Sequence, residues 1–279
     1  PLVGGRLIGI KDVPNVHKKS DFVARRDLLS SLEYMKRADP DYSGRYQSFI
    51  DHIKGKNDGN LIGNKHFWRG DYHAHRRSNY SFHIRMCSER TFVSERGNGM
   101  NVANQYLSQG ATMIMVDGNE YERIFPCWEW SNIPGVTAPY KGHKSPVPQT
   151  SKTWGVRGTC SFVGGVSNGK YGIAVKDLDW DGVTGKKSWF CFDDDIVCLG
   201  AGINYSGKET VNTTVNQCVK KSGVSDIYLE YRNGKEDVAP LTSDIPITNP
   251  NWVFHDCVGY VFTEDCRVIL QNENNVTGD

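Results

Sequence analysis

Short strand-forming runs separated by turn residues follow one another through most of the sequence after residue 61, and this succession restricts the chain to a mainly β fold. In the run 80–86, apolar and polar residues alternate with the two-residue period of a strand that has one buried face. Turn signals such as Asn233-Gly234 separate the later runs. Further predicted strands are 111–116, 171–178, 187–192, 196–199, 209–218, 226–232 and 252–263.

Two helices are predicted before these strands. Apolar residues recur at helical spacing in 21–37, and a second, shorter helix over 44–54 follows the break at Asp39-Pro40. The polar run 54–60 then reads as a linker. We therefore predict two parts, a helical segment over 1–56 and a β domain over 57–279.

Charge and composition narrow the classes of partner. The formal net charge is +1, so no global field attracts nucleic acid, and any attraction to an acidic polymer has to come from a local patch. No run of about 18 apolar residues is present, which argues against a membrane span. The eight cysteines include no CxxC pair, which argues against zinc, and most are predicted to be buried free thiols rather than disulfides.

Residues 95–101, which we call the glycine-rich bend, combine a carboxylate and two amides with two glycines between predicted strands. The polar members are Glu95, Asn98 and Asn101. Glycine tolerates positive φ and brings the backbone close to a ligand, so such a bend can present polar groups into a cleft. An ordinary hairpin turn, with Asn and Gly in turn roles, explains the same composition, and the residues alone leave both readings open.

The ordered series of motifs around the bend resembles a known family. The stretch SERTFVSERGNGMN, followed by a DG turn and by FPCWEWSNIPGVT, resembles the central β-sandwich of polysaccharide lyase family 8. It is most similar to the chondroitin AC lyase branch of a family that includes hyaluronate and xanthan lyases. The likeness continues through WGVRGTCSFVGG and NWVFHDCVGYVF and spans residues 60–279. It implies a large antiparallel β-sandwich, a supersandwich, preceded by the end of an α/α toroid.

The resemblance also implies a chemistry. Family 8 lyases cleave uronic-acid-containing polysaccharides by β-elimination: the uronate carboxylate is neutralised, a base removes the proton at C5, and an acid protonates the departing glycosidic oxygen. In the family, Tyr and His of the helical toroid transfer these protons. The matching segments would lie upstream of this chain, so the resemblance implies that residues 1–279 alone are inactive.

The supporting groups that the resemblance assigns to this chain are Arg6, Glu95 and Asn98 as catalytic-site residues. Arg6 follows Gly4-Gly5 and matches an arginine that points into the family's cleft. Glu95 would orient and charge-balance the catalytic His and Arg. Asn98, with Asn101 and Arg6, would contact the sugar. A second family arginine is replaced here by Ile10.

A weak calcium site is the one metal site that the resemblance suggests. Glu129 and Tyr140 match positions near the calcium that some chondroitin AC type lyases bind, but Ser131 and Pro139 stand where acidic ligands would be. Loss of two carboxylates should weaken a calcium site severely. No cofactor is therefore expected to be required.

The partners implied are an acidic glycosaminoglycan of the chondroitin sulfate or hyaluronan type and an upstream helical catalytic domain of the same parent chain. Neither nucleic acid nor a membrane is expected. An extracellular substrate implies a secreted or periplasmic location. Two other readings stay open: a non-catalytic carbohydrate-binding β-sandwich that uses exposed Trp and Tyr, and a structural module whose aromatics are core.

Overall fold

Two helices precede the strands, as predicted. The structure, a computed structural model, describes residues 17–56, 62–94, 103, 105–121, 124, 128–141, 155–220, 226–240 and 245–271. Helix α1 (His17–Ala38) and helix α2 (Ser43–Ile53) are separated by a short 3-10 helix that begins at Pro40. Leu32 of α1 and Ile50 of α2 are buried where the two helices pack together.

From residue 63 onward the described residues form strands, a short 3-10 helix (Trp68–Gly70) and irregular connections. The strands are β1 (Gly63–Phe67), β2 (Tyr72–Arg76), β3 (Ser81–Arg85), β4 (Phe92–Ser94), β5 (Ala111–Met115), β6 (Thr137–Pro139), β7 (Val156–Arg157), β8 (Val163–Ser167), β9 (Gly172–Trp180), β10 (Val183–Cys191), β11 (Ile196–Tyr205), β12 (Val211–Thr213), β13 (Asp226–Tyr231), β14 (Glu236–Pro240), β15 (Ile245–Thr248), β16 (Pro250–His255), β17 (Val258–Val261) and β18 (Arg267–Leu270). These strands pair antiparallel, which confirms the prediction of a mainly β, antiparallel fold.

The first core lies between two four-stranded sheets. One sheet has the order β1-β2-β3-β5 and the other β11-β10-β9-β8. Phe82 and Ile84 of β3 point toward Ala174 and Trp189 of the second sheet, and all four side chains are buried. Burial of each large apolar side chain contributes roughly 1.5–3 kcal/mol, so this alternation in β3 is what fixes the strand register.

The opposite face of β3 differs from the prediction in one respect. His83 is half-buried there and its Nδ1 lies 2.7 Å from the Tyr72 hydroxyl. Arg85, predicted on a polar face, is buried, and its guanidinium donates to the carbonyl of Gly70. Met113 of β5 belongs to a second core, so this face of the sheet is also packed inside the protein.

This second core contains aromatic rings from loops as well as from strands. Tyr106, Tyr121 and Trp128 are buried there, together with Ile133. These rings are therefore packing residues, and they are not available to stack on a sugar. In the part of the chain that is described, the exposed aromatic rings lie elsewhere, Trp68 and Phe92 among them.

A third core lies between the sheet β14-β13-β16-β17 and the strand pair β15-β18. The prediction of a single strand over 252–263 is wrong, because β16 and β17 form a hairpin here. Asp256 and Cys257 have φ values of 47° and 65° at its turn. Asp adopts this left-handed region more readily than most residues, but Asp-Cys is not a common turn signal.

The predicted strand over 209–218 is largely irregular as well. Only β12 is regular, and it pairs with β6. Beyond it, Gln217 accepts a hydrogen bond of 2.7 Å from the Glu129 backbone N–H and donates one of 2.8 Å to the Asn132 carbonyl. The polar side chain thus holds a loop rather than joining a ladder.

All seven cysteines within the described residues are free. Cys87, Cys160 and Cys191 are buried as predicted, whereas Cys198 and Cys257 are exposed. In the same residues, no helix combines the length and the apolar composition that a membrane crossing requires.

Candidate functional site

The candidate site consists of the glycine-rich bend and the described residues that hold its two ends. Arg6, Glu95, Asn98 and Asn101 lie outside the described residues, so their assignments stay predictions. What the structure describes is the approach to the bend through β4 and the return from it through residues 105–110.

The two ends of this segment meet in the protein interior. Ser108 Oγ donates a hydrogen bond to the backbone carbonyl of Val93, and both residues are buried. On the return side, Gln109 Oε1 accepts a hydrogen bond of 2.8 Å from Lys176 Nζ. Burial lowers the pKa of Lys176, so this hydrogen bond helps to keep the lysine inside. The base of the segment that carries Glu95 and Asn98 is thus closed by buried contacts.

Asp71 anchors the approach to β4. Its side chain is fully buried and its carboxylate accepts hydrogen bonds from Ser88 Oγ at 2.6 Å, the Ser88 backbone N–H at 2.8 Å, Thr91 Oγ1 at 2.6 Å and Arg90 Nη2 at 2.7 Å. Burial opposes ionisation, but the hydrogen bonds from Ser88, Thr91 and Arg90 outweigh it and lower the pKa of Asp71. An ionised carboxylate therefore fixes residues 88–91 directly before β4.

Strand β4 itself pairs with the two-residue strand β7. Ser94, the residue before Glu95, is paired with Val156, and Phe92 is paired with Arg157. The Arg157 guanidinium lies 5.3 Å from the centre of the Phe92 ring, and Phe92 remains 48% exposed. An aromatic ring and a cation thus stand on the surface at the start of the bend.

Three histidines near β1 and β2 are interior residues. His73 and His75 lie on the same buried face, and Asn64 Nδ2 is 2.9 Å from His73 Nε2 and 3.1 Å from His75 Nδ1. The His66 ring centre is 5.6 Å from that of His73. Among the described residues, no group of three or more His, Cys, Asp or Glu is placed to hold a metal ion. This cluster therefore acts as polar packing.

Acid is expected to destabilise the fold through this cluster. Burial lowers the pKa of His73 from 6.5 to about 4. Below pH 6.5 the unfolded chain binds a proton that the folded chain does not, so the stability is full above pH 6.5 and falls as the pH drops toward 4. Between pH 7.5 and 5 we expect a loss of about 2 kcal/mol in the free energy of unfolding.

Urea unfolding at pH 7.5 and at pH 5 measures that loss, and an NMR titration of the His73 ring checks its cause. The ring should stay neutral at pH 5. A His73 that titrates near 6.5, or a stability that is the same at both pH values, contradicts this account.

The residues named for calcium do not fit that ion. Glu129 Oε1 accepts a hydrogen bond of 2.8 Å from Ser131 Oγ, and Ser131 is buried. The Tyr140 backbone N–H donates to Thr210. Pro139 is buried in β6 and has no side-chain oxygen. Because calcium needs six or more oxygen ligands, usually with several carboxylates, one glutamate in this setting does not make a site.

Sequence reasoning missed the anchors of the bend. Ser88 and Thr91 stand three residues apart in SERT, a spacing typical of a turn closed by side chains. Their acceptor Asp71 lies 17 and 20 residues earlier in the chain. Its φ of 47° is the one local sign of an unusual role, and that angle is visible only in the structure.

The family of the chain is defined by its match to a family model. Residues 62–279 match the model of the super-sandwich domain of polysaccharide lyase family 8. The chain belongs to this family, and the resemblance that the SERT and WEW motifs indicated is confirmed.

Particular relatives point to the chondroitin AC branch. Chondroitinase-AC of Pedobacter heparinus is 42% identical over 208 residues, which cover 75% of this chain and 28% of that protein. A hyaluronate lyase of Thermasporomyces composti is 32% identical, over 71% of this chain and 25% of that protein. The chain thus spans about a quarter of the length of these curated relatives.

Solved structures agree with the fold. A chondroitinase AC lyase that was solved with oligosaccharides superimposes with a TM-score of 0.72 at 35% identity, and the match covers 85% of this chain and 34% of that one. A xanthan lyase of Paenibacillus gives a TM-score of 0.64 at 26% identity, over 80% and 22% of the two chains. The supersandwich predicted for residues 57–279 is the fold that these neighbours share.

Proposed function

We propose that this chain is the sandwich part of a lyase that cleaves uronic-acid-containing glycosaminoglycans, of the chondroitin sulfate or hyaluronan type, by β-elimination. Family membership supports the lyase class. The observation that carries the assignment of the site is the closed base of the glycine-rich bend, where Ser108 meets Val93 and Asp71 fixes residues 88–91. Groups that contact a transition state have to be held in place by packed supports, and this bend has them.

The proposed roles follow the order of the elimination. Arg6 and Asn98 bind the uronate and its neighbour, Asn101 adds a sugar contact, and Glu95 holds the arginine and the catalytic histidine in the correct charge state. Tyr and His of an upstream helical domain transfer the protons. Water takes no part, so the site does not need the carboxylate pair of a hydrolase.

The proposed roles also imply a partner domain and a location for the protein. We propose that the chain works together with an upstream helical domain of the same parent protein and that both act outside the cytoplasm, where glycosaminoglycans occur. The elimination as proposed moves protons only between protein groups and substrate, so it requires no cofactor.

Ultraviolet absorbance of the 4,5-unsaturated uronate product tests the proposal on chondroitin sulfate and hyaluronan. Residues 1–279 alone are expected to produce no unsaturated product above background, because we assign the proton-transferring groups to the helical domain. The longer protein that includes the helical domain is expected to turn over at rates ordinary for enzymes, on the order of 1–10³ s⁻¹.

Two results would contradict the proposal in different ways. Turnover by residues 1–279 alone would show that the acid and base lie within this chain. New reducing ends without unsaturated uronate, formed by the longer protein, would show hydrolysis in place of elimination.

A further inference from the structure

We propose that Arg157, seated on Phe92, binds an anionic group of the glycosaminoglycan, a sulfate ester or a uronate carboxylate, beside the glycine-rich bend. This inference rests on the proposed function, because it names a further substrate contact of the same site. It goes beyond the residues that the resemblance assigns, which lie on the bend itself and at Arg6.

The position of Arg157 follows from the register of β4 and β7. Ser94 is paired with Val156 and Phe92 with Arg157, with an irregularity between the two pairs. Glu95 directly follows Ser94 in the chain. Glu95 and Asn98, two of the residues proposed for the site, thus follow Phe92 within six residues in the sequence, and Arg157 lies on the strand that pairs with Phe92.

Contacts among the described residues hold the guanidinium of Arg157 without neutralising its charge. Its Nη1 donates a hydrogen bond of 3.0 Å to the backbone carbonyl of Glu89, and its plane lies 5.3 Å from the centre of the Phe92 ring. Within the described residues, no carboxylate forms a salt bridge with it. Since a guanidinium has five N–H donors, most of them stay available to an outside acceptor.

Arg90, the other arginine beside β4, differs from Arg157 because it is paired with a carboxylate. Arg90 donates to Asp71 at 2.7 Å and to the carbonyl of Val163 at 3.1 Å. Its charge is matched by a buried carboxylate, so it stabilises the fold instead of attracting a ligand. Of these two cations beside β4, Arg157 is the one without a carboxylate partner in the part of the chain that the structure describes, and we therefore assign the polyanion to it.

The chemistry of the ligand follows from this geometry. A planar guanidinium forms paired hydrogen bonds with carboxylate or sulfate oxygens, and contact with an aromatic ring restricts its side chain before binding. The net charge of the whole chain is +1, so attraction of a polyanion depends on local cations of this kind. The surface of Phe92 that Arg157 leaves exposed offers an apolar face to a sugar ring.

Calorimetric titration of residues 1–279 with three oligosaccharides tests the inference. The probes are a sulfated chondroitin hexasaccharide, its desulfated form and a neutral cellohexaose. Arg157→Gln is expected to weaken binding of the sulfated probe about 10-fold, and Arg157→Lys about threefold, since lysine keeps the charge but loses the paired geometry. A loss confined to the sulfated probe identifies a sulfate contact, and an equal loss on the desulfated probe identifies the uronate carboxylate.

Arg45→Gln is the matched control. Arg45 is also exposed and lies 5.2 Å from the centre of the exposed Tyr42 ring, but it belongs to helix α2 rather than to β4 or β7. The Arg45→Gln variant should bind the anionic oligosaccharides with the same affinity as the unchanged chain. An equal loss in both variants would indicate unspecific attraction and overturn the inference, and so would a loss on cellohexaose.

Two further outcomes separate this inference from the proposed function. If Asn98→Ala weakens binding and Arg157→Gln does not, Arg157 is not a contact and the proposed function stands. If the unchanged chain binds neither anionic probe, both the Arg157 contact and the substrate contacts proposed for the bend are wrong.

Discussion

Replacement of Glu95 by glutamine in the longer lyase is expected to lower kcat/KM on chondroitin sulfate about 100-fold or more, with little change in thermal stability. Glutamine keeps the shape of the side chain but removes its charge. In the proposed site that charge orients and balances Arg6 and the catalytic histidine, and groups that position a reacting partner in this way typically contribute one to two orders of magnitude or more.

The loss of kcat/KM in Glu95→Gln is expected to come mainly from a lower kcat, because Glu95 does not bind the polymer directly in the proposed site. Glu89→Gln is the matched control, since Glu89 stands six residues earlier and its side chain is exposed, while its backbone carbonyl, which accepts from Arg157, is unchanged by the substitution. It should leave kcat/KM unchanged. An unchanged rate for Glu95→Gln would remove Glu95 from the site, and a large loss of stability would reassign it to the fold.

Replacement of Asp71 by asparagine is expected to lower the free energy of unfolding by about 3 kcal/mol or more. The carboxylate accepts hydrogen bonds from Ser88, Thr91 and Arg90, and an amide group in the same place offers one oxygen where donors converge on two. At least one buried donor is left without an acceptor. The positive charge of Arg90 also loses its partner.

Denaturant unfolding at pH 7 measures this change, with Asp179→Asn as the control. Asp179 is exposed on β9, and its replacement should fall within about 0.5 kcal/mol of the unchanged chain. A similarly small effect for Asp71→Asn would show that the approach to the bend is held by packing alone.

Strands in which apolar and polar residues alternate were the part of the fold that could be predicted from the sequence. In β3 the buried Phe82 and Ile84 alternate with His83, so pattern and structure agree. The hairpin of β16 and β17 was missed because Asp256-Cys257 turns the chain without glycine or proline. Burial of Arg85 was also missed, since its acceptor is a backbone carbonyl that only the tertiary structure brings near.

The candidate site also contains residues that could be predicted from the sequence and residues that could not. The polar residues of the bend were predicted because a long series of motifs resembles one family, and no spacing within the bend would have distinguished them from an ordinary turn. Asp71 and Ser108 were not found, because their partners Ser88 and Val93 lie 17 and 15 residues away and the hydrogen bonds depend on how strands cross. Such supports are set by tertiary geometry.

Burial of aromatic rings bears on the alternative functions. Trp128 and Trp189 are core residues, as a purely structural module would also require. The match to the family 8 model over residues 62–279 favours a lyase part over a free-standing sugar-binding module. Among the described residues, the exposed Phe92 beside Arg157 is a ring that we propose for contact with sugar.

A crystal structure of the longer protein with an uncleaved uronate-containing oligosaccharide tests the central claim most directly. The account predicts that the Asn98 side-chain amide lies about 3 Å from a sugar oxygen and that the Glu95 carboxylate faces Arg6 across the same cleft. An oligosaccharide bound elsewhere, with Glu95 and Asn98 directed into bulk solvent and remote from Arg6, would contradict it.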